Sequence, residues 1–422
     1  MQVGASFWRR SLREPEDYSL FDPETQECPY DFYRALRDRA PVYRMPETGY
    51  YIISRYEDVR EALRRHDVFS NDFDTRSLGP SGQPAEVAEI YRTKGWVRKR
   101  ALQTDPPEHA TYRKLVDGAF TAGRVRAMEP YIDEIVEDLI DGWIGDGQVE
   151  FIGRFAHALP MIVIADRLGV PRQHAAQFKL WSDASVDSIA PSTPPARQIE
   201  CAHQLVDLQH YFVPLFEERR RSPREDILSD IANARLADGR MLQTEELLDI
   251  VEQLLTGGNE TTGHSLGAGM LLLTEHPALL PVLRHEPDRL KTFVEEVLRL
   301  ESPTQGTFRI TRQDVEVAGV VIPAGSMVNL RYGAANRDER QFPHADKLDV
   351  CRGNAGSHLA FISGIHHCLG APLARQEMIC AFRALLRRLD NIRLAPGFEP
   401  PGHMRNFMMR GLTALHIAFD RP

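Results

Sequence analysis

Phe361-Ile-Ser-Gly-Ile-His-His-Cys-Leu-Gly-Ala-Pro-Leu-Ala-Arg375 is the stretch that decides how this chain is read. A loop holding Gly364, His366, Cys368 and Gly370 runs into an apolar-periodic helix predicted over Leu373 to Leu389. Pro372 falls in its first turn, where a missing N–H costs nothing. Cys368 therefore stands at a helix N-terminus. Partial positive charge and unpaired backbone N–H groups there favour thiolate over thiol and can hydrogen-bond a metal-bound sulfur. Taken alone, such a cysteine reads first as a small buried residue. A closed zinc site with His366 and His367 would need four ligands, and no Cys-x-x-Cys or second His pair lies nearby.

Three further stretches carry chemistry. Glu296-Val-Leu-Arg299 places an acid and a base three apart, on one helix face, where they can form a salt bridge. Leu254-Leu-Thr-Gly-Gly-Asn-Glu-Thr-Thr-Gly263 lies inside a predicted helix of roughly thirty residues, although each glycine costs about 1 kcal/mol there against alanine. Gly257 and Gly258 would clear room for a flat group, and Thr261 can bond a carbonyl of the preceding turn. Asp105-Pro-Pro-Glu-His109-Ala-Thr-Tyr-Arg113 sets His109 and Arg113 four apart, again on one face.

The cysteine loop resembles the haem-binding loop of the cytochrome P-450 family, Phe-x-x-Gly-x-His-x-Cys-x-Gly followed by Leu-Ala-Arg, with every fixed position filled. The other stretches follow in the family's order, and the resemblance covers roughly residues 15 to 420. It implies a mainly α chain with a small β region, the cytochrome P-450 triangular-prism fold, with residues 1–422 as a single haem-thiolate domain. It makes Cys368 the thiolate ligand of haem b (iron protoporphyrin IX), pushing electron density toward iron so that dioxygen can be cleaved. Glu260 and Thr261 become the acid and alcohol that relay protons toward bound dioxygen. Gly258 lies against the cofactor, and His109, Arg113, Arg309 and His366 become partners of the haem propionates. Glu296 and Arg299 become the family's structural pair. Two positions depart from the pattern: Ile362 replaces a common glycine, and Lys347 stands where the third member of the ion-pair network is usually arginine, with Arg352 nearby.

The implied reaction is insertion of one oxygen atom into a hydrophobic small organic substrate, by hydroxylation or epoxidation. A separate ferredoxin and ferredoxin reductase are the expected electron donors, docking on a basic patch of Lys114, Arg124, Arg126 and Arg375. Trp96, Leu254, Phe407 and Met408 are candidate substrate contacts, and Arg98, Lys99 and Arg100 are an alternative set for a carboxylate. A non-catalytic haem sensor would need Cys368 without Glu260 and Thr261. A zinc or thiol protein would use Cys368 without haem.

Composition agrees with an ordinary globular enzyme. The 422 residues carry 51 Lys plus Arg against 60 Asp plus Glu, a net charge of -9, which argues against nucleic-acid binding as the main task. Five scattered cysteines form no disulfide framework, and no apolar run reads as a leader or membrane anchor, so a cytoplasmic protein is expected. Helices are expected over residues 56–65, 108–120, 131–143, 202–219 and 245–274. Short strands are expected at residues 50–54, 315–317, 327–330, 407–409 and 414–419, with weakly patterned loops at 79–95 and 190–196.

Overall fold

The computed structural model describes residues 13–73, 82–97, 99–190 and 193–422. Its centre is one long distal helix, Thr244–Glu275. At its start the Glu246 carboxylate accepts the Gln243 N–H at 2.7 Å, which satisfies one of the donors a helix N-terminus leaves open. At its end Pro277 follows, and His276 leaves the helical region because a residue before proline is pushed toward extended backbone. Leu247, Ile250, Val251, Leu255, Leu266, Met270 and Leu273 are buried along it. Around it pack the helices Ala158–Arg167, Ala175–Ile189, Pro287–Glu301 and Ala371–Arg388. A helix apolar on several sides at once is a core element. Among the described residues no single helix is long and apolar enough to cross a membrane.

The β structure is small and lies to one side. Strands β1 (Val42–Arg44), β2 (Tyr51–Ile53), β3 (Phe69–Ser70), β5 (Thr307–Thr311) and β8 (Met327–Leu330) form one sheet in the order β1-β2-β8-β5-β3. Only β2 and β8 run parallel. A second sheet sets β10 (His416–Asp420) between β4 (Gln148–Glu150) and β9 (Asp390–Leu394), and β6 (Val315–Val317) pairs with β7 (Val320–Ile322).

Three expectations change. Residues 315–317 and 327–330, read from the Pro323-Ala324-Gly325 turn between them as two pieces of one small sheet, are strands of different sheets: Ala318 and Gly319, both at positive φ, turn β6 tightly onto β7, while β8 joins the larger sheet. Residues 407–409 are not a strand, because the Asn406 side chain takes the N–H groups of Met408 and Met409 at 2.8 and 3.0 Å, competing with a ladder. The weakly patterned region 79–95 holds a helix, Ala85–Lys94, that buries only Val87 and Ile90. Two apolar side chains give too short a stripe to show as periodicity. Residues 79–81 and 191–192 lie outside the described residues.

Candidate active site

The cysteine loop is folded back on itself before its helix begins. The Cys368 N–H donates to the Phe361 carbonyl at 2.9 Å, and the N–H groups of Gly370 and Ala371 point at the sulfur. Burial nonetheless pushes the Cys368 thiol up, outweighing those N–H groups and the nearby Arg113 and Arg375 cations. The N–H groups at the helix terminus thus favour the thiolate, as the sequence suggests, but burial outweighs them. A metal bound to the sulfur would supply the missing charge. Gly364 has φ +78°, and a Cβ there would come within 2.7 Å of the Leu63 carbonyl, so only glycine fits. Ile362 has φ +62°, which explains why glycine is common at that position and marks a β-branched residue held in a costly conformation.

Above the loop is a cavity of about 370 Å³. Cys368, His109, Arg113, Arg309, His366, Gly257, Gly258, Thr261, Leu254 and Met408 all line it, although they come from five distant parts of the chain. The polar lining fits a flat dianion. Arg309 is buried, donates to Asn71 Oδ1 at 2.8 Å and the Phe308 carbonyl at 2.7 Å, and has no carboxylate ion pair among the described residues. Burial lowers its pKa, as expected for a cation short of an anion. His366 Nε2 is buried without a hydrogen-bond partner, and burial pushes the His366 pKa down to about 3. The His109 and His366 rings are 4.2 Å apart, so both imidazoles face the same end of the cavity. Arg113 pairs with exposed Asp117 at 2.6 Å. At the other end, a Cβ on Gly257 would meet nothing within 4 Å.

The acid and alcohol of the distal helix part company. Thr261 faces the cavity and its hydroxyl donates to the Gly257 carbonyl at 2.9 Å, the preceding-turn bond its spacing suggested, while the helix continues unbroken. Glu260 is buried and turned out of the cavity. Its Oε1 lies 3.3 Å from Lys179 Nζ and accepts from Asn259 Nδ2 at 3.2 Å. Lys179 also pairs with Asp183 and is partly exposed, so this chain of charges reaches solvent.

Two proposed substrate contacts lie elsewhere. Trp96 packs edge-on against His210 and is tied through its N–H to Gln209 Oε1 at 2.8 Å. Phe407 is fully buried, stacked on Phe308 at 5.8 Å, where it supports the wall without lining the cavity. Lys99 is taken by Glu246 at 2.8 Å, and Arg100 lines the cavity while donating to the Asn71 carbonyl at 2.6 Å. Arg98 lies outside the described residues.

Glu296 and Arg299 are both fully buried, joined at 2.5 and 2.9 Å. Arg299 also donates to the carbonyls of Asn336 and Ala345. The third member is Arg352, whose Nε lies 3.0 Å from Glu296 Oε1. Lys347 offers only its backbone carbonyl, to Arg299 and Arg352, each at 3.2 Å. The expected lysine substitution is thus a shift of the arginine by five positions. A second ion cluster lies beside the loop: Glu295 accepts from Arg375 at 2.6 and 3.0 Å and faces His358 at 3.0 Å, while the Arg375 guanidinium covers the Phe361 ring at 4.5 Å. Arg375 is therefore engaged inward rather than free for docking. Lys179 and the cavity-lining Glu377, whose carboxyl burial pushes well up, were not picked out by spacing. Each owes its place to tertiary packing.

A family model described as Cytochrome P450 matches residues 192–410. The chain is 36% identical to Cytochrome P450 107B1 of Saccharopolyspora erythraea, over 96% of this chain and 98% of that protein. It is 35% identical to the Vitamin D(3) 25-hydroxylase of Pseudonocardia autotrophica, covering 95% and 96%. The structure of CYP109Q5 from Chondromyces apiculatus superposes with a TM-score of 0.83 at 35% identity, over 96% of this chain and 98% of that one. The chain belongs to the cytochrome P450 family and has its fold. It is accordingly a haem-dependent oxidoreductase of the monooxygenase class, with iron protoporphyrin IX as its cofactor.

Proposed function

We propose that this enzyme hydroxylates or epoxidises a hydrophobic small organic molecule, in the cytoplasm, with electrons from a separate ferredoxin and ferredoxin reductase. The observation that carries this reading is the meeting of Cys368, four cationic or imidazole groups and the Gly257–Thr261 segment around one cavity. Cys368 would hold the haem iron, and His109, Arg113, Arg309 and His366 would hold the propionates. When bound, the haem supplies a thiolate-ligated iron at which dioxygen is reduced and activated. The chain's own part is positioning and proton supply. Gly257 leaves the distal face clear, while Gly258 admits the Ile164 side chain beside it. Lys179 and Asp183 lead from solvent to Glu260, the residue before Thr261, and protons would pass along these groups, the Thr261 hydroxyl taking one up as it gives its own into the cavity. Leu254, Phe308 and Met408 give the cavity apolar walls suited to a hydrophobic guest. Lys114, Arg124 and Arg126 are exposed and form the docking patch, without Arg375.

Purified protein whose reduced, carbon-monoxide-bound Soret band moves strongly to the red supports thiolate ligation, and Cys368→Ala abolishes that band. A Cys368→Ala protein that keeps it overturns the assignment. A panel of hydrophobic compounds, read by haem spin-state shifts and by product formation with surrogate ferredoxin and reductase, tests the substrate class.

A further inference from the structure

On the flank of the distal helix next to the cavity, Glu260 and His264 stand four apart and share a buried pocket with His157. One nitrogen of each imidazole and one carboxylate oxygen lie within 4.8 Å of one another. The two oxygens of Glu260 have different neighbours. Oε1 faces Lys179 and Asn259, whereas Oε2 lies 3.6 Å from His264 Nε2, too far for a hydrogen bond. The two rings meet edge to face with centroids 5.1 Å apart. Both nitrogens of His264 and Nδ1 of His157 are buried without any hydrogen-bond partner. Orphaned polar atoms of this kind are rare in folded proteins and call for a partner.

The surrounding backbone is shaped to admit these rings. A Cβ at Gly263 would come within 2.6 Å of His157 Nδ1, and one at Gly411 would strike the His264 ring. Residues Ile152–Ala156 form a π-helical turn, closed by the His157 N–H on the Ile152 carbonyl at 2.9 Å. Such turns insert one extra residue, re-aim the side chain that follows and gather at functional sites.

We infer that His157, Glu260 and His264 form a binding site for a divalent transition-metal ion of the zinc class. Two imidazoles and a carboxylate are a recurrent three-ligand set for zinc, with a fourth position left to water. Bonds of about 2.0–2.1 Å in a tetrahedron place ligand atoms about 3.3 Å apart, so the 3.6 Å between His264 and Glu260 needs a movement of a few tenths of an ångström, and His157, within 4.8 Å of both, swings in by up to about 1.5 Å. Lys179 keeps Asp183 as its anion when Glu260 turns to the ion. His157 is partly exposed and gives the ion a way in. The other grouping of ligand types, Glu129, Asp133 and Cys380, is already neutralised by Arg383, and burial pushes the Cys380 thiol up to about 12. An ion in the His-Glu-His site would hold the carboxylate assigned above to proton supply. That consequence rests on the proposed function, whereas the binding itself does not.

The test uses haem-loaded protein dialysed against a chelator, given a small excess of zinc sulfate and desalted. Wild type is expected to retain about one zinc per chain by elemental analysis, with an X-ray absorption spectrum at the zinc edge showing a nitrogen and oxygen shell with imidazole scattering. His157→Ala and His264→Ala should each lower retained zinc at least tenfold. The haem spectrum reports whether each variant is folded, and His157, lying nearer the surface, is decisive if His264→Ala does not fold. Wild type that retains no zinc, retention unchanged in both variants, or a sulfur-containing shell overturns the site. Because zinc is counted directly, failure of the metal site and failure of the Glu260 proton role give separate results.

Discussion

On the cysteine side of the cavity, Glu296 touches Arg299, Arg352 and the Asp349 N–H, and Glu295 touches Arg375 and His358. On the distal side, Glu260 has one partly exposed lysine and an asparagine, and two imidazoles beside it have nitrogens without partners. Both regions bury charge close to the same cavity. The first spends its donors on backbone carbonyls and fixed carboxylates, as a scaffold for an iron ligand must. The second leaves polar atoms uncommitted, as a route for protons or ions must. Satisfied networks rigidify, and unsatisfied ones mark where something else binds or moves.

The largest expected effect lies in the satisfied region. Arg299→Ala leaves a fully buried carboxylate short of its main partner and should cost about 3–5 kcal/mol, read as a lower denaturant midpoint and loss of the haem-thiolate spectrum. A fall below about 1 kcal/mol would erase the contrast between the two sides.

Acid should weaken the same region next. Burial pushes the Glu295 carboxyl up, but hydrogen bonds from His358 and Arg375 outweigh it and bring the pKa down to about 2. A carboxylate lowered on folding adds stability that is complete above its unfolded pKa and fades as pH falls through the folded value. Glu295 thus contributes about 3 kcal/mol that is lost between roughly pH 5 and pH 2. Glu295→Gln should flatten the stability-against-pH curve in that window, and an unchanged slope would remove Glu295 from the account.

On the distal side the effect should fall on turnover instead of stability. Glu260→Gln keeps the shape and removes the acid, and should slow the proton-dependent step by about 10²-fold while moving the unfolding midpoint little. Thr261→Ala should uncouple electron consumption from product formation. If either variant unfolds the protein as readily as Arg299→Ala, the two regions are not divided as described.

The smallest effect is local. Ile362→Gly relieves a β-branched residue at φ +62° but frees the unfolded chain and removes packing, for a net change within about 1 kcal/mol. Thermal unfolding of the haem-loaded variant measures it.

The site's local parts were legible because they are local in sequence. The cysteine loop, the Glu296–Arg299 pair and the Gly257–Thr261 segment need only a few consecutive residues, and the structure places the first and last of them around one cavity and closes the pair as a buried salt bridge. The distal helix, expected over residues 245–274, runs from Thr244 to Glu275 because hydrophobic burial on several faces and a closing proline both show in the chain. What escaped depends on distance. Arg352, noted in the sequence only as lying near Lys347, takes the arginine's place because its loop carries it to within 3.0 Å of Glu296, and composition cannot show that approach. Trp96 looked like a cavity residue by type, but Gln209 and His210 hold it on the outside. Glu260 and His264 are four apart on one helix, but Lys179 and His157 reach them only through the packing of neighbouring segments, and no motif joins all four.

Gly364 rests its bare Cα against the Leu63 carbonyl, at the end of a helix that packs on the small sheet. The ligand loop is therefore braced by the helix Tyr56–Arg64 as well as by its own helix. The colour of the haem becomes a gauge of that remote joint: a change that loosens this helix should reach the sulfur and be read as a change in absorbance, without touching a single residue of the cavity.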